Sequence, residues 1–182
     1  MKKIILLTLF TLFTLVSCNQ NADLQSSNSS KSPTDNKQNK EKSLQWSNLA
    51  EIEGRSAGTY CRNLREGGHT DWRLPNIDEL RTLIKNCPAT ETDGMCRVSE
   101  KNDCISESCY SKSCKGCAKK INDFNYQIPK DGFSKLGDNE KIFLWSSSEL
   151  FGKDYRGWYV SFFDGGIYTA AWIDILYVRC VR

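Results

Sequence analysis

The sequence YCRNLREGGHTDWRLPNIDELRTLI occupies residues 60–84 and predicts two short helices separated by a turn and a brief strand. Apolar side chains recur at the spacing of one helical face from just before this stretch into its first residues, at Ala57, Tyr60, Cys61 and Leu64. Their spacing predicts a helix over residues 53–65. The pair Gly67-Gly68 then ends the helix, because glycine readily adopts the positive φ found just past a helix terminus.

The second half of the stretch predicts a strand and a second helix. Residues 71–74 read as a brief strand that Pro75 stops. Asn76 is a suitable N-cap, and Glu79 three residues later completes a capping box. The following helix buries a stripe of three apolar residues and ends at residues 87–88; the stripe is Leu80, Leu83 and Ile84.

The chain after residue 130 has the pattern of β-structure. Residues 142–145 lead into three consecutive serines. Residues 158–163 and 167–172 flank Asp164-Gly165-Gly166, whose glycines accept a positive φ and therefore predict a hairpin. Residues 175–181 read as a closing strand, and residues 44–46 as a short opening strand. Helices followed by antiparallel strands predict an α+β fold.

The first 17 residues resemble a lipoprotein signal peptide. A basic start is followed by the apolar run 4–16, which is too short to span a bilayer. The sequence Leu-Val-Ser before Cys18 resembles a lipobox, with an ordinary secretory signal as the alternative. We therefore expect Cys18 to carry the lipid, including palmitate, and to anchor a cell-envelope protein. Asn19 in place of an aspartate favours the outer over the inner membrane.

Residues 18–43 are polar and predict a lipidated, disordered tether. One domain over residues 44–182 follows, which is long enough for a single core. The net charge of +3 arises entirely before residue 44, so the domain itself is neutral. Nucleic-acid-binding domains usually have a basic stripe, and we expect no nucleic-acid partner here. The expected partner at this end is the membrane, through the lipid anchor.

Eight of the nine cysteines lie within the predicted domain: Cys61, Cys87, Cys96, Cys104, Cys109, Cys114, Cys117 and Cys180. An even number in an exported chain predicts structural disulfides, and we expect a Cys87–Cys96 bridge among them. Five of the eight fall in residues 88–130, which lack periodicity and are interpreted as a disulfide-stapled insertion.

Two other readings of these cysteines stay open. Four thiolates in residues 104–117 could hold zinc, although just one C-x2-C knuckle is present. The pair Cys114 and Cys117 could be redox-active, although no βαβ pattern surrounds it. We expect structural disulfides, with no metal and no cofactor.

Catalytic signals are weak. His69 is the sole histidine and lies in a glycine-rich loop. A Ser-His-Asp hydrolase could draw on residues 146–148, but a G-x-S-x-G elbow is missing. We interpret Asp71 and Arg73 as part of an internal polar network that locks the strand to Glu79 or to backbone groups. The sequence therefore predicts no catalytic residue and a protein that is not an enzyme.

Four segments in combination resemble the Lcl C-terminal domain family: residues 60–84, L-W-S-S-S at 144–148, G-W-Y-V-S-F at 157–162 and V-R-C-V-R at 178–182. That family is a bacterial domain of largely undefined function, common in exported proteins. It is similar in organisation to the C-type-lectin-like and formylglycine-generating-enzyme folds. The resemblance implies two helices flanking a curled antiparallel sheet.

The resemblance also implies roles for particular residues. It places Cys61 near Cys180, two positions that C-type lectin domains commonly bridge. It assigns a fold signature, which we expect to be structural, to Asp71, Trp72, Arg73, Leu74, Pro75, Glu79, Trp145, Ser146 and Ser147.

The activities of the two related folds do not carry over. Calcium-dependent lectins use an E-P-N or Q-P-D tripeptide and a W-N-D segment, and residues 172–174 here lack the asparagine. Calcium needs six or more oxygens, which no local cluster supplies. Generation of formylglycine needs a copper-binding cysteine pair, which the sequence does not single out.

Aromatic residues concentrate between residues 155 and 172. Because side chains alternate between the faces of a strand, they cannot all point inward, and exposed aromatic clusters are typical of binding sites. We expect the domain to bind a glycan or a protein through Tyr155, Arg156, Asp164 and Tyr168. The alternatives are a structural or assembly role in the envelope, and an enzyme of the formylglycine-generating type.

Overall fold

The computed structural model describes residues 43–123, 125–137 and 142–182. The predicted signal peptide, Cys18 and all but the last residue of the predicted tether lie outside the described residues. Within the described ranges, no helix is both long enough and apolar enough to cross a membrane. The chain has an α+β fold with few helices.

Seven strands are present in the described ranges: Ala50–Glu53 (β1), Lys119–Lys120 (β2), Tyr126–Gln127 (β3), Phe143–Glu149 (β4), Arg156–Ser161 (β5), Gly166–Ala171 (β6) and Ile175–Val178 (β7). Five of them form one sheet in the order β1-β7-β4-β5-β6, and β2 pairs with β3 separately. Most neighbours are antiparallel, but β4 and β7 run parallel, with Leu144 opposite Tyr177. The expected all-antiparallel sheet is therefore wrong, because β7 inserts between β1 and β4 and is antiparallel to β1 alone.

The two predicted helices are Gly54–Asn63 (α1) and Ile77–Arg81 (α2). The capping box at α2 is formed: the amide of Glu79 donates to Asn76 Oδ1 at 2.8 Å, and the amide of Asn76 donates to Glu79 Oε2 at 2.9 Å. The helix ends earlier than the apolar stripe suggested. The stripe is buried nonetheless, at Leu80, Leu83 and Ile84.

The predicted strands at residues 44–46 and 71–74 are reduced to single β-bridges with the C-terminal segment. Trp46 and Arg73 both pair with Val181. The predicted hairpin is present between β5 and β6, with Gly165 at φ 75° in its turn. A side chain at Gly165 would also lie 2.9 Å from Cys87 Cβ, so both the turn and the packing favour glycine.

All eight cysteines of the domain are paired in disulfides: Cys61–Cys180, Cys87–Cys117, Cys96–Cys114 and Cys104–Cys109. The Cys61–Cys180 bridge that the resemblance implied is confirmed. The predicted Cys87–Cys96 bridge is wrong, because Cys117, and not Cys96, lies at the hairpin turn beside Cys87. There the amide of Cys117 donates to the carbonyl of Asp164 at 2.6 Å.

Because all eight cysteines are in disulfides, none is present as a thiolate that could bind zinc. Cys114 and Cys117 are bonded to other cysteines and do not form a redox-active pair with each other. In the part of the chain that the structure describes, no three histidine, cysteine, aspartate or glutamate side chains group as a metal site would require.

The sheet is covered on both faces. Leu144 and Trp158 point into the main core with α2 and the insertion, which includes Ile77, Leu80, Ile84, Val98, Phe133, Val160 and Ile167. The neighbouring Trp145 points to the other face, where it packs with Ala57 of α1 and Val178 of β7. This alternation follows from the pleat of the strands. It places one helix on each side of the sheet.

Candidate functional site

A row of aromatic side chains runs across the α1 face of the sheet towards its β6 edge. Ring centroids are 5.0 Å apart for Trp172 and Trp145, 6.2 Å for Trp145 and Tyr159, and 5.8 Å for Tyr159 and Tyr168. Tyr159 lies directly opposite Tyr168 in the β5–β6 register, so the two rings share one face. The row continues into the insertion, because Tyr110 lies 6.3 Å from Tyr168.

A cavity of about 390 Å³, here called the aromatic cleft, opens at the end of this row. It is lined by Glu107, Tyr110, Trp158, Tyr159, Tyr168 and Thr169. The sheet edge supplies one wall. The insertion supplies the other, through the 3-10 helix Glu107–Cys109 and the residue after it.

Hydrogen bonds hold the insertion wall against the sheet. The indole Nε1 of Trp158 donates to the carbonyl of Ile105 at 3.0 Å. The amide of Gly116 donates to the hydroxyl of Tyr168 at 3.3 Å. The Cys104–Cys109 disulfide closes the loop that contains Glu107. The shape of the aromatic cleft therefore depends on the disulfide-stapled insertion.

Asp164 supports the cleft from the hairpin turn. Its Oδ2 accepts from the hydroxyl of Tyr168 at 2.6 Å, and its Oδ1 accepts from the amide of Gly166 at 3.0 Å. Both carboxylate oxygens thus form internal hydrogen bonds. Asp164, predicted as a ligand contact, positions Tyr168 instead of facing the cleft with a free carboxylate.

Burial raises the pKa of the three cleft tyrosines Tyr110, Tyr159 and Tyr168, and the negative charge of Asp164 raises it further. The phenols therefore remain neutral well above physiological pH. The hydroxyls of Tyr110 and Tyr159 form no hydrogen bond within the described ranges, and neither does the exposed carboxylate of Glu107. The cleft thus offers two hydroxyls and one carboxylate to a ligand.

The other predicted contact residues lie apart from the cleft wall. The Arg156 guanidinium donates to the carbonyl of Thr169 at 2.9 Å and to its hydroxyl at 3.0 Å. Arg156 thus positions Thr169, which lines the cleft, and does not line the cleft itself. Tyr155 is exposed in the β4–β5 loop, where its carbonyl accepts from the amide of Trp172. It lies at the opposite end of β5 from the hairpin turn.

Of the polar network that the sequence predicted, the contact of Arg73 with Glu79 is formed, whereas Asp71 pairs with Arg182 and both contacts are exposed. Arg73 makes two hydrogen bonds to Glu79, at 2.7 and 2.5 Å. Burial would raise the pKa of Glu79, but the hydrogen bonds from Arg73 and from the Asn76 amide, together with the charge of Arg73, outweigh it, and the pKa is lowered. Asp71 pairs with Nε of Arg182 at 2.7 Å, which lowers the pKa of Asp71.

The apolar and serine parts of the signature tie this segment to the sheet. Trp72 is buried, as is Pro75, while Leu74 is partly buried. The amide of Ser147 donates to the carbonyl of Pro75 at 2.7 Å. The hydroxyl of Ser146 donates to the carbonyl of Trp158 at 2.7 Å.

The serine–histidine arrangement of a hydrolase is not formed within the described residues. His69 packs edge-on against Trp72 at a centroid distance of 6.3 Å. The hydroxyl of Ser148 donates to Glu100 at 2.5 Å, and Ser146 is engaged by the backbone of β5.

Sequence reasoning missed Glu107 and Tyr110, which form the insertion wall. No periodicity marks them, and their position depends on disulfide pairs that the sequence alone could not assign. Tyr159 could have been found, because its alternation with Trp158 in β5 places it on the face that carries Tyr168.

A family model described as the Lcl C-terminal domain matches residues 31–182. The match begins inside the segment that was assigned to the tether. The chain matches no curated protein. Because the family model covers well over half of the chain, the protein belongs to the Lcl C-terminal domain family.

Proposed function

We propose that the protein is an envelope lipoprotein whose domain binds a glycan in the aromatic cleft. The observation that carries this proposal is the juxtaposition of partly exposed tyrosine rings with hydrogen-bonding groups that lack a partner in the described ranges. The cleft volume of about 390 Å³ lies within the range of small-ligand pockets.

The chemistry of the cleft suits a sugar ring. The apolar face of a pyranose packs on aromatic rings such as those of Tyr110 and Tyr168, while its hydroxyls need donors and acceptors. The phenols of Tyr110 and Tyr159 supply both, because a protonated hydroxyl can donate and accept a hydrogen bond. The carboxylate of Glu107 supplies an acceptor at the rim. One or two sugar units would fill this space.

The wider architecture supports a lectin-like fold. One helix lies on each face of the sheet, the Cys61–Cys180 bridge joins α1 to the C-terminal segment, and the backbones of Gln45 and Arg182 are hydrogen-bonded. Apart from the parallel pairing of β4 with β7, these features agree with the organisation that the family resemblance implies. We propose that binding is independent of calcium and involves no catalytic step. All described cysteines are in disulfides, so an open copper-binding thiol pair would require one of them to be reduced.

Anchoring is the second part of the proposal. The lipobox-like sequence ending at Cys18 supports acylation, and Asn19 supports delivery to the outer membrane. A fatty-acid probe should label the full chain in its host, and Cys18→Ser should abolish the labelling. Persistent labelling of the variant would contradict acylation at this residue.

The competing function is a protein-binding role in envelope assembly. It is favoured by the exposed side chains of Phe151 and Tyr155 in the β4–β5 loop. Because this loop lies at the opposite end of β5 from the hairpin turn, paired variants distinguish the two surfaces.

A glycan array probed with the purified full chain tests the cleft directly. Tyr110→Ala should weaken glycan binding by about tenfold or more, as expected for a central aromatic contact. Tyr155→Ala is the matched control and should leave binding unchanged. If Tyr155→Ala loses binding and Tyr110→Ala retains it, the ligand binds at the loop. A melting curve for each variant excludes unfolding as the cause.

A further inference from the structure

A second cavity, of about 530 Å³, lies on the α1 side of the domain, and we call it the charged cleft. Its lining comes from α1, from Arg73 and Leu74 of the signature, and from the ends of β4 and β6. It shares no lining residue with the aromatic cleft. Half of its ten lining residues are charged, and one, Trp172, is aromatic.

The arginines of the charged cleft are not equivalent. Arg73 is held by Glu79, and Arg55 is paired with Glu53. Arg62 donates to the hydroxyl of Thr59 at 2.9 Å and has no carboxylate partner within the described residues. Arg62 therefore contributes the one arginine charge in this cleft that is not already neutralised.

Two acidic side chains stand in the same cleft. Glu149 ends β4 and Asp154 lies in the following loop, and both are exposed. Neither carboxylate forms a hydrogen bond or an ion pair in the part of the chain that the structure describes. The cleft thus combines one unpaired cation with two unpaired carboxylates, which is unfavourable for a simple anion and suits a ligand that carries both signs of charge.

Trp172 provides an aromatic surface beside these charges. Its ring crosses β5 so closely that a Cβ on Gly157 would lie 2.1 Å from it. The ring is partly exposed to the cleft. An ammonium group near carboxylates and an indole face gains both ionic and cation–π attraction.

Gly58 leaves space in the cleft beside Arg62. It lies inside α1, where glycine weakens a helix relative to alanine. Within 4 Å, a Cβ there would meet just the end of the Arg62 side chain, at 3.3 Å. Packing therefore does not require glycine at this position. Its absent side chain leaves room next to the guanidinium of Arg62.

We propose that the charged cleft binds a zwitterionic ligand of the amino-acid type, either a free amino acid or a short peptide with free ends. Arg62 binds the ligand carboxylate. Glu149 and Asp154 bind its ammonium group beside Trp172. This site is separate from the glycan site proposed above, and neither depends on the other.

The test uses trialanine as the probe and the ¹⁵N-labelled full chain as the receptor, followed by NMR. Trialanine should shift the indole resonance of Trp172, which a Trp172→Phe spectrum assigns. N-acetyl-trialanine and trialanine amide each lack one charge and should bind at least about tenfold more weakly, because each loses a charge-assisted contact. Free alanine tests whether a single amino acid is enough for binding. If alanine binds as tightly as trialanine, the ligand is an amino acid; if alanine binds more weakly, the ligand is a peptide.

Variants then locate the site. Arg62→Met and Asp154→Asn should each abolish the trialanine shift, whereas Arg65→Met, an exposed arginine outside the charged cleft, should not. Tyr110→Ala should also leave the shift intact, since it alters the aromatic cleft alone. Circular dichroism confirms that each variant is folded. The proposal is overturned if neither alanine nor trialanine shifts Trp172, if the blocked peptides bind as well as trialanine, or if Arg62→Met has no effect.

Discussion

The five-stranded sheet and the insertion of residues 88–130 are stabilised by different means. In the sheet, alternate residues such as Leu144 and Trp145 are buried on opposite faces, and each face has its own apolar cover. Among the described residues of the insertion, three of the four buried hydrophobic ones are half-cystines; the four are Cys96, Val98, Cys109 and Cys114. Cross-links thus replace the apolar periodicity that the insertion lacks.

Polar contacts mark the boundary between the two regions. Arg81 of α2 is buried, and burial lowers its pKa. Its guanidinium donates to the carbonyls of Thr90, Val98 and Glu91 at 3.0, 2.8 and 2.7 Å. A single side chain from the helical part therefore fixes three backbone positions of the insertion. The comparison shows that the insertion depends on groups which the regular part of the fold supplies.

The largest expected effect comes from the long bridge. Replacing Cys61 and Cys180 together by alanine should cost about 5 kcal/mol of unfolding free energy, because the bridge closes a loop of 119 residues. The same change at Cys104 and Cys109, five residues apart, should cost about 2 kcal/mol. Urea denaturation measures both. Equal losses would show that loop entropy does not govern these cross-links.

Trp145→Ala tests the apolar side of the comparison. The ring is fully buried on the α1 face, so its loss should cost about 3–5 kcal/mol. Phe151→Ala is the control, because that ring is 75% exposed and should change stability by less than about 0.5 kcal/mol. Thermal and urea unfolding measure both variants. A small effect of Trp145→Ala would mean that the sheet, too, relies mainly on cross-links.

Arg81→Met tests the boundary. It leaves three insertion carbonyls without their donors and should cost about 3 kcal/mol, with Arg97→Met as an exposed control. Hydrogen exchange should show faster exchange in residues 88–118, with β4 and β5 still protected. Uniform loss of protection across the sheet would show that the two regions unfold as one unit.

Glu79→Gln should have the smallest effect, and that effect should depend on pH. Because the folded pKa of Glu79 lies below the usual 4.5, its contribution is fully present above pH 4.5 and is lost as pH falls through the folded value. The variant should be less stable than the wild type at pH 7 by under about 1 kcal/mol. The difference should shrink by pH 3. Denaturation at both values measures this, and a difference that grows on acidification would contradict the ion-pair role.

Local signals predicted the regular part of the fold well. Asn76 and Glu79 carry the whole capping box within four residues, so its formation needs no distant partner. The hairpin turn at Gly165 is equally local. The strand β1 was missed, although its four residues, AEIE, alternate between apolar and acidic side chains. The parallel pairing of β4 with β7 depends on strand order, which local sequence does not encode.

The candidate site was harder to predict for a related reason. Tyr168, which was predicted as a ligand contact, lines the aromatic cleft and follows a recognisable turn. Tyr110 and Glu107 reach the same cavity through a non-periodic insertion, and the pairings Cys87–Cys117 and Cys96–Cys114 join residues 30 and 18 positions apart. Several pairings of these cysteines are compatible with the sequence, and each would position Tyr110 differently.

The bridge between Cys61 and Cys180 also has a mechanical consequence. A force that pulls residue 43 and Arg182 apart first opens the pair of backbone hydrogen bonds between Gln45 and Arg182. Because the force acts on these hydrogen bonds one at a time, a low force is enough to break them. The tension then passes through the covalent bridge, so none of residues 62–179 is stretched. A single-molecule pulling experiment should therefore record a short extension under oxidising conditions and, after reduction, one longer by up to about 400 Å.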